Sequence, residues 1–381
     1  MRILLIGEYS RLHNSLKEGL TNLGHEVHIL AQGDGFKKYP ADYEIKHSFS
    51  KKWAKKTNSF IYKIFRINLK ALQTYYNACR LLNKLKSYDY AQLINEQSIK
   101  TTPELEIKFL KKVLKKTNKL FLLSCGVDYT CMKFMMEEKP RYSLMSAYIK
   151  NPNLKHTYQF QLQYLTPKFK KLHDFILKNC NGVIASDFDY HLPCLELEKY
   201  LGLIPNPINI NKIKALKFEV NNTINIFHGI NKAANHKKGN DIFTSALKII
   251  KDKYKDLVQI EAVSNLPYNE YIKKYDNCHI LLDQVFGYDQ GYNALEAMAK
   301  GKVVFTGAEE EWRAYFNLKE DEVAINALPD VNQIVQKLEL LIENPYKMIE
   351  ISKNAIQFIK REHQYEKIAQ LYLDKWRNSR F

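Results

Sequence analysis

The sequence predicts an α/β protein of two doubly wound, Rossmann-like domains facing each other across a cleft. Three observations carry this. The chain opens on an apolar strand, a glycine turn, an amphipathic helix and a second strand. The same alternation restarts near residue 224, and 381 residues are ample for two cores. The strand candidates are short continuous apolar runs, the mark of strands buried on both faces in a parallel sheet.

Ile3–Ile6 is such a run, closed by Gly7. Leu12, Leu16, Leu20 and Leu23 share one helical face, and Gly24 stops that helix. Val27–Leu30 forms the second strand and completes a βαβ opening. Tyr90–Ile94 then reads as strand, Glu104–Lys116 as helix, Leu120–Ser124 as strand, Phe169–Lys178 as helix and Gly182–Ser186 as strand. The pattern breaks at Ile204-Pro205-Asn206-Pro207, and a polar stretch runs to about Thr223. A second series follows: Ile224–Phe227 as strand, then Asp241–Ile250 as a helix with Ile242, Phe243, Ala246 and Ile249 inward. Val258–Val263 and Ile280–Asp283 are strands, Tyr292–Lys300 a helix, Val303–Thr306 a strand, and the last fifty residues are helical. The expected division is 1–205 and 206–361. Ligands in such folds bind beyond the C-terminal ends of the strands.

Hydrophobic content of 45% with 12% aromatics excludes a disordered chain. No apolar run reaches the length of a membrane span, and Arg2–Gly7 is too short for a secretory signal, so a cytoplasmic protein is expected. Six cysteines are scattered without metal-ligand spacing and read as reduced, buried thiols. The net charge of +17 is clustered: from Ile45 to Tyr88 there are eleven Lys and Arg and no Asp or Glu. Such a field attracts an anionic surface. Ile61, Phe65, Leu69, Leu72, Tyr76 and Cys79 recur at helical spacing, with Trp53, Phe60 and Tyr62 among the cations, as in interfacial segments. Packing of that stripe on the sheet, with solvated lysines, is the alternative. The expected partner is an anionic membrane surface through 46–86, with the protein peripheral on its inner face. No nucleic-acid module is present, and no nucleic acid is expected.

The stretch Gly287 to Gly301 leads from a glycine turn straight into a short helix and then the strand Lys302–Thr306. Free N–H groups and the dipole at such a helix start suit a diphosphate. Glu296 lies one turn inside, on the side of Tyr292 and Asn293, where a carboxylate can accept from two ribose hydroxyls. Ala294, Leu295 and Met298 are core candidates, and a solvated Glu on an ordinary turn–helix unit is the alternative. Earlier, Ile226-Phe227-His228-Gly229 ends a strand, and Lys237-Lys238-Gly239-Asn240-Asp241 precedes a helix. Taken alone, Lys-Lys-Gly reads more often as a solvated helix start. No P-loop, G-x-G-x-x-G, H-E-x-x-H or nucleophile elbow occurs, which argues against an NTPase, a dinucleotide oxidoreductase, a zinc protease and an α/β-hydrolase.

Asn293-Ala294-Leu295-Glu296-Ala297-Met298-Ala299-Lys300-Gly301-Lys302-Val303-Val304 closely resembles the donor-site signature of the retaining GT-B glycosyltransferases, family 4 in particular. The resemblance implies a GT-B fold and retaining transfer of a sugar from a nucleotide-sugar donor to a glycan or lipid-linked acceptor, in surface polysaccharide or glycolipid synthesis. It implies no cofactor beyond the nucleotide-sugar co-substrate, and the absence of an Asp-x-Asp pair near the proposed diphosphate site argues against a metal. It assigns Glu296 to the donor ribose and Lys238 to the diphosphate. The family's second Glu, eight positions earlier, is Tyr288 here, with Asp289 beside it as substitute. Lys238, Asp289 and Glu296 are thus the catalytic candidates. His228, Gly229, Lys232, Gly239, Gly291, Tyr292 and Asn293 complete the donor-side set. Gly7, Gly24-His25-Glu26-Val27 and Gly126-x-Asp128 resemble the family's first domain, with Cys125 in the place of a frequent His. Arg11, His13 and His173 join Gly7 and Asp128 as acceptor-side candidates by proximity. Helix Gln364–Trp376, within 362–381, matches one that crosses back to the first domain. Two alternatives stay open: a catalytically altered GT-B protein that binds glycan or membrane, and another GT-B enzyme such as a nucleotide-sugar epimerase or phosphorylase.

Overall fold

In the computed structural model, residues 1–32, 39–49, 52–65, 67–215, 223–230, 235–264 and 268–381 are described. Lys51, Arg66 and Lys232 lie outside them. The described strands form two sheets, every ladder parallel. The first contains β1 (Arg2–Ile6), β2 (Glu26–Ala31), β3 (Tyr43–Glu44), β4 (Tyr88–Leu93), β5 (Thr117–Ser124), β6 (Val183–Ala185) and β7 (Tyr200–Leu203), in the order 3-2-1-4-5-6-7. The second contains β8 (Ile224–Ile230), β9 (Val258–Ser264), β10 (Ile280–Leu282), β11 (Val303–Thr306) and β12 (Ile325–Asn326), in the order 12-11-10-8-9.

The helices of the first half are α1 (Leu12–Asn22), α2 (Lys52–Phe65), α3 (Leu69–Lys84), α4 (Pro103–Val113), α5 (Tyr129–Met136), α6 (Ser146–Lys150), α7 (Gln159–Leu162), α8 (Pro167–Asn179) and α9 (Phe188–Cys194). Those of the second half are α10 (Asn235–Lys238), α11 (Asn240–Tyr254), α12 (Tyr268–Asn277), α13 (Tyr292–Ala299), α14 (Glu310–Phe316), α15 (Val331–Glu343), α16 (Pro345–Glu362) and α17 (Tyr365–Asn378). Both faces of each sheet are covered, which is why the strands read as unbroken apolar runs. Ile3 and Leu5 face the α1 and α17 side, whereas Leu4 and Ile6 face the α3 and α4 side. In the second sheet Ile226, Ile280, Leu282 and Phe305 meet α11 and α15, and Phe227, Leu281 and Val304 meet α13 and α16.

The return of α17 ties the two halves together. Ile208 in the connection bridges to Gln364, and the Ile208 N–H donates to the His363 carbonyl at 2.7 Å. The helix then lies on α1, where Gly19 has no side chain: a Cβ there would stand 2.5 Å from the Tyr365 carbonyl oxygen. Trp376, fully buried, stacks on Phe121 at 5.9 Å and meets Tyr90 at 5.8 Å.

Several local expectations change. Ile249 is 42% exposed, and α11 instead buries Phe243, Ala246, Leu247 and Ile250. Leu23 caps α1 at 39% exposure because the helix ends at Asn22. The expected apolar stripe from Ile61 to Cys79 is divided between α2 and α3: Leu69 and Leu72 are half-buried, Cys79 is buried, and Tyr76 is exposed. No helix among the described residues is long and apolar enough to cross a membrane. The packing of α17 gives a stability expectation. Trp376→Ala removes a fully buried indole from the first domain and should cost about 3–5 kcal/mol, read as a lower denaturation midpoint in urea.

Candidate active site

In a doubly wound sheet the strand order reverses at one point, and the loops leaving the strands there diverge to form a crevice. In the second sheet that point lies between β8 and β10. Gly239, with φ +68°, turns the chain between α10 and α11, and a Cβ there would sit 2.1 Å from Val285 Cγ2. Only glycine fits, and the turn carries Lys238 over the strand ends. The Val285 N–H donates to the Lys238 carbonyl at 3.1 Å, so the loop leaving β10 is tied to the lysine's backbone.

Asp283, the residue after β10, gathers the site. Its Oδ1 accepts from Lys238 Nζ at 3.0 Å and from Asn293 Nδ2 at 3.1 Å. The carboxylate is buried, whereas the lysine side chain is about one-third exposed. Asn293 lies in the first turn of α13, and its carbonyl accepts from the Tyr275 hydroxyl at 3.2 Å. Gly291 caps that helix at φ −73°, a conformation open to any residue, and nothing lies within 4 Å of where its Cβ would stand. Its contribution is therefore space in front of the first-turn N–H groups. Glu296, one turn further in, is half-buried. Lys238, Asp283 and Asn293 are thus brought together beside the dipole-positive end of α13, with Gly291 at the start of that helix and Glu296 one turn along it.

Other donor-side candidates hold structure. His228 is fully buried in β8, edge-on to Phe243 at 5.3 Å, with Nδ1 3.3 Å from the Leu282 carbonyl. Burial lowers its pKa and keeps the ring neutral. Gly229 lies under the Tyr271 ring, 2.9 Å from where a Cβ would stand. The Tyr292 hydroxyl is buried and donates to the Pro207 carbonyl in the connection.

On the facing side, Gly7 adopts φ +88°, and a Cβ would strike Ile94 Cγ2 at 2.2 Å. His13 is fully buried with Nδ1 2.7 Å from the Gly7 carbonyl, and burial lowers its pKa to about 4. It is a neutral core ring. Arg11 pairs with Glu18 at 3.3 Å. Asp128 caps α5, accepting from the Cys131 N–H and the Ser124 hydroxyl, each at 2.7 Å. His173 reaches the buried Glu96 with Nδ1 at 2.6 Å, and its ring lies 4.9 Å from Tyr129. Burial lowers its pKa, but the Glu96 carboxylate outweighs that and raises it.

Between the halves, two carboxylates make a reciprocal exchange. Asp289 accepts from the Phe188 N–H at 3.1 Å and from Gln290 N–H, while Asp189 accepts from the Tyr288 N–H at 3.1 Å. Asp289, expected on the sugar side, has Oδ2 in this contact and Oδ1 on the N–H of its own neighbour Gln290. Tyr288 itself accepts from the Arg141 N–H at 2.8 Å, and the Arg141 guanidinium bridges Glu309 and Glu311. Asp283, Glu96, Asp189 and Arg141 were not singled out from the sequence. Asp283 alone carried a local signal, as a carboxylate at the C-terminal end of a strand. A cavity of about 470 Å³ lies elsewhere, between α1, Pro40–Asp42 and Tyr365. Its Lys17 and Lys212 are paired with Asp42 and Glu18. Among the described residues no group of three His, Cys, Asp or Glu is arranged to hold a metal.

Residues 230–374 match a family model described as glycosyl transferase-like. Three solved structures align along almost the whole chain. Sucrose-phosphate synthase from Thermosynechococcus elongatus is 12% identical, with TM-score 0.58 over 99% of this chain and 98% of its own. HepE from Anabaena, in complex with UDP and glucose, is 11% identical, with TM-score 0.55 over 99% of each chain. A glycosyltransferase from Rickettsia africae is 14% identical, with TM-score 0.54 over 99% of each chain. The fold is GT-B. No curated protein matches the sequence. The Asp189–Asp289 exchange crosses the boundary between the two domains of this fold.

That exchange is sensitive to protons. Burial pushes the pKa of Asp189 and of Asp289 up to about 7, and Asp187 beside them is also raised by burial and by both neighbours. A carboxyl with a raised folded pKa keeps its proton where the unfolded chain has lost it, so stability falls as pH rises. The loss should span about pH 4 to 7, between the ordinary carboxyl value and the raised one. Thermal unfolding across that range should show a falling midpoint. Asp189→Asn, which keeps an acceptor for the Tyr288 N–H, should flatten the slope; an unchanged slope would assign the effect elsewhere.

Proposed function

We propose that this GT-B protein is a retaining glycosyltransferase of the family 4 type, moving a sugar from a nucleotide-sugar donor to a glycan or lipid-linked acceptor. The observation that carries the reading is the shared Asp283 oxygen, which holds Lys238 and the first turn of α13 around one open crevice. It supports a diphosphate site, and the glycosyl transferase-like match over 230–374 covers the same residues. Lys238 and the α13 N–H groups stabilise the departing diphosphate, and Glu296 holds the ribose. As the bond from the anomeric carbon to the phosphate oxygen breaks, the acceptor hydroxyl attacks from the same face. Its proton passes to the released phosphate oxygen, so the configuration is kept. The setting we assign is surface polysaccharide or glycolipid synthesis, with the protein cytoplasmic and peripheral on an anionic membrane through the basic tract 46–86. Thermal-shift screening against a panel of nucleotide sugars tests the donor reading, since a bound donor raises the midpoint by mass action.

One observation favours a second reading, a GT-B protein that binds without turnover. Tyr288 stands where the family has its sugar-side Glu, and it is spent on the Arg141 backbone. Donor binding without product formation would select this reading.

Two further outcomes are expected. Glu296→Ala should weaken donor binding by about 1.5–3 kcal/mol, the worth of a charged hydrogen bond. Lys238→Ala should lower kcat by on the order of 10²-fold or more. Wild-type kinetics in both variants would remove the donor assignment. The product should keep the donor's anomeric configuration by NMR, and turnover should persist in EDTA; inversion, or complete loss with chelator, would overturn the mechanism.

A further inference from the structure

The tract from Ile45 to Tyr88 carries eleven cations and no acid. Which of its apolar groups remain uncovered depends on how the helices pack. α3 turns Ala71, Thr74, Ala78, Cys79 and Leu82 into the first domain. α2 is tied to α3 through Asn58, whose side-chain oxygen accepts from the Lys70 N–H at 3.0 Å. On the opposite side of α2 the described side chains lie in water. Lys56, Phe60, Lys63 and Ile64 are exposed at helical spacing, and Ile67 continues the row just past the helix end. Phe60 is 64% exposed, Ile64 55% and Ile67 44%. Large apolar side chains left in water beside Lys56 and Lys63 mark an interaction surface. Nucleic acid would use the cations but leave Phe60 and Ile64 idle. An anionic lipid leaflet uses both.

The topology places α2 toward the edge of the first sheet that bears the Gly7 turn. β3 runs parallel to β2 and so ends on the edge of the first sheet that bears the Gly7 turn. α3 must then return to the opposite edge, where β4 begins. α2 connects the two and lies on the cleft edge. Contacts from Asn77 to the Lys46 carbonyl and from Gln73 to the Ser48 N–H follow the chain along α3 toward it.

We propose that α2 is an interfacial helix lying in the plane of an anionic leaflet, with Phe60, Ile64 and Ile67 among the acyl chains and Lys56 and Lys63 at the headgroups. This rests on the membrane-borne acceptor proposed above, and it names the element that brings the cleft to that acceptor. Attachment then has two parts: a salt-sensitive one from the lysines and a salt-resistant one from the apolar row.

The test uses full-length protein and sedimentation with vesicles of phosphatidylcholine, alone or with phosphatidylglycerol. Wild type should bind the anionic vesicles. Lys56→Gln with Lys63→Gln should weaken binding about fivefold per residue at low salt. Phe60→Ser with Ile64→Ser should weaken it by about tenfold per residue, at low and high salt alike. Phe60→Trp should be quenched by lipid brominated on its acyl chains. If wild type binds but the serine variant binds equally and Phe60→Trp is not quenched, α2 insertion is wrong while membrane attachment stands. If wild type ignores anionic vesicles at low salt, both ideas fall. Binding to duplex DNA with no vesicle binding would make the face a nucleic-acid surface and also overturn the proposal. A nucleotide-sugar thermal shift, unchanged across these variants, separates each result from a failure of the donor site.

Discussion

Parallel pairing sets what the rest of this molecule must do. Each strand hands the chain to a crossover that returns it to the opposite edge, and the crossovers must cover both faces. All strand C-terminal ends in a sheet therefore point one way, and the loops leaving them collect on one edge. With two such sheets, facing those edges toward each other creates one crevice from two sets of loops. Lys238, Asp283 and Asn293 belong to one edge; Gly7, Glu96, Asp128 and Asp189 belong to the other. The site is a product of topology first and of side-chain chemistry second.

The facing edges are held together by unusual means. Apolar contact accounts for part of it, since Tyr288 and Tyr292 join the same cluster as Ile204 and Ile208. The rest is a set of carboxylates on backbone N–H groups, with Arg141 clamped between Glu309 and Glu311 at the rim. Buried carboxylates are held at a desolvation cost, and a contact built from them can be remade more readily than an apolar core.

The strands Ile3–Ile6, Ile280–Leu282 and Val303–Thr306 were legible because burial on both faces leaves no polar interruption. β3 and β12, two residues each, are too short for any periodicity to register. Ile249 was misplaced because residues 242, 246 and 249 also fall on a helical face, rotated from the one that buries Leu247 and Ile250. At the site, Lys238-Gly239 and the α13 turn were legible because each is local. Asp283 was visible only as a strand end, since its meaning depends on a lysine and an asparagine on other elements. Asp289 looked available because its partner, Phe188, is remote in sequence. His228 looked like a strand-end residue because the expected strand stopped at Phe227, whereas β8 runs three residues further, to Ile230.

The bare position at Gly19 has a consequence for how the chain is made. It lets the backbone of α17 settle against α1, so part of the covering of the first sheet comes from residues translated after the whole second domain. On the ribosome, the first domain emerges early but keeps the face around Leu5, Leu16 and Phe121 open until residue 378 is released. The second domain, from Ile224 to Glu362, can close before that. The half translated second is thus the half completed first, and the nascent first half must be kept from aggregating while it waits.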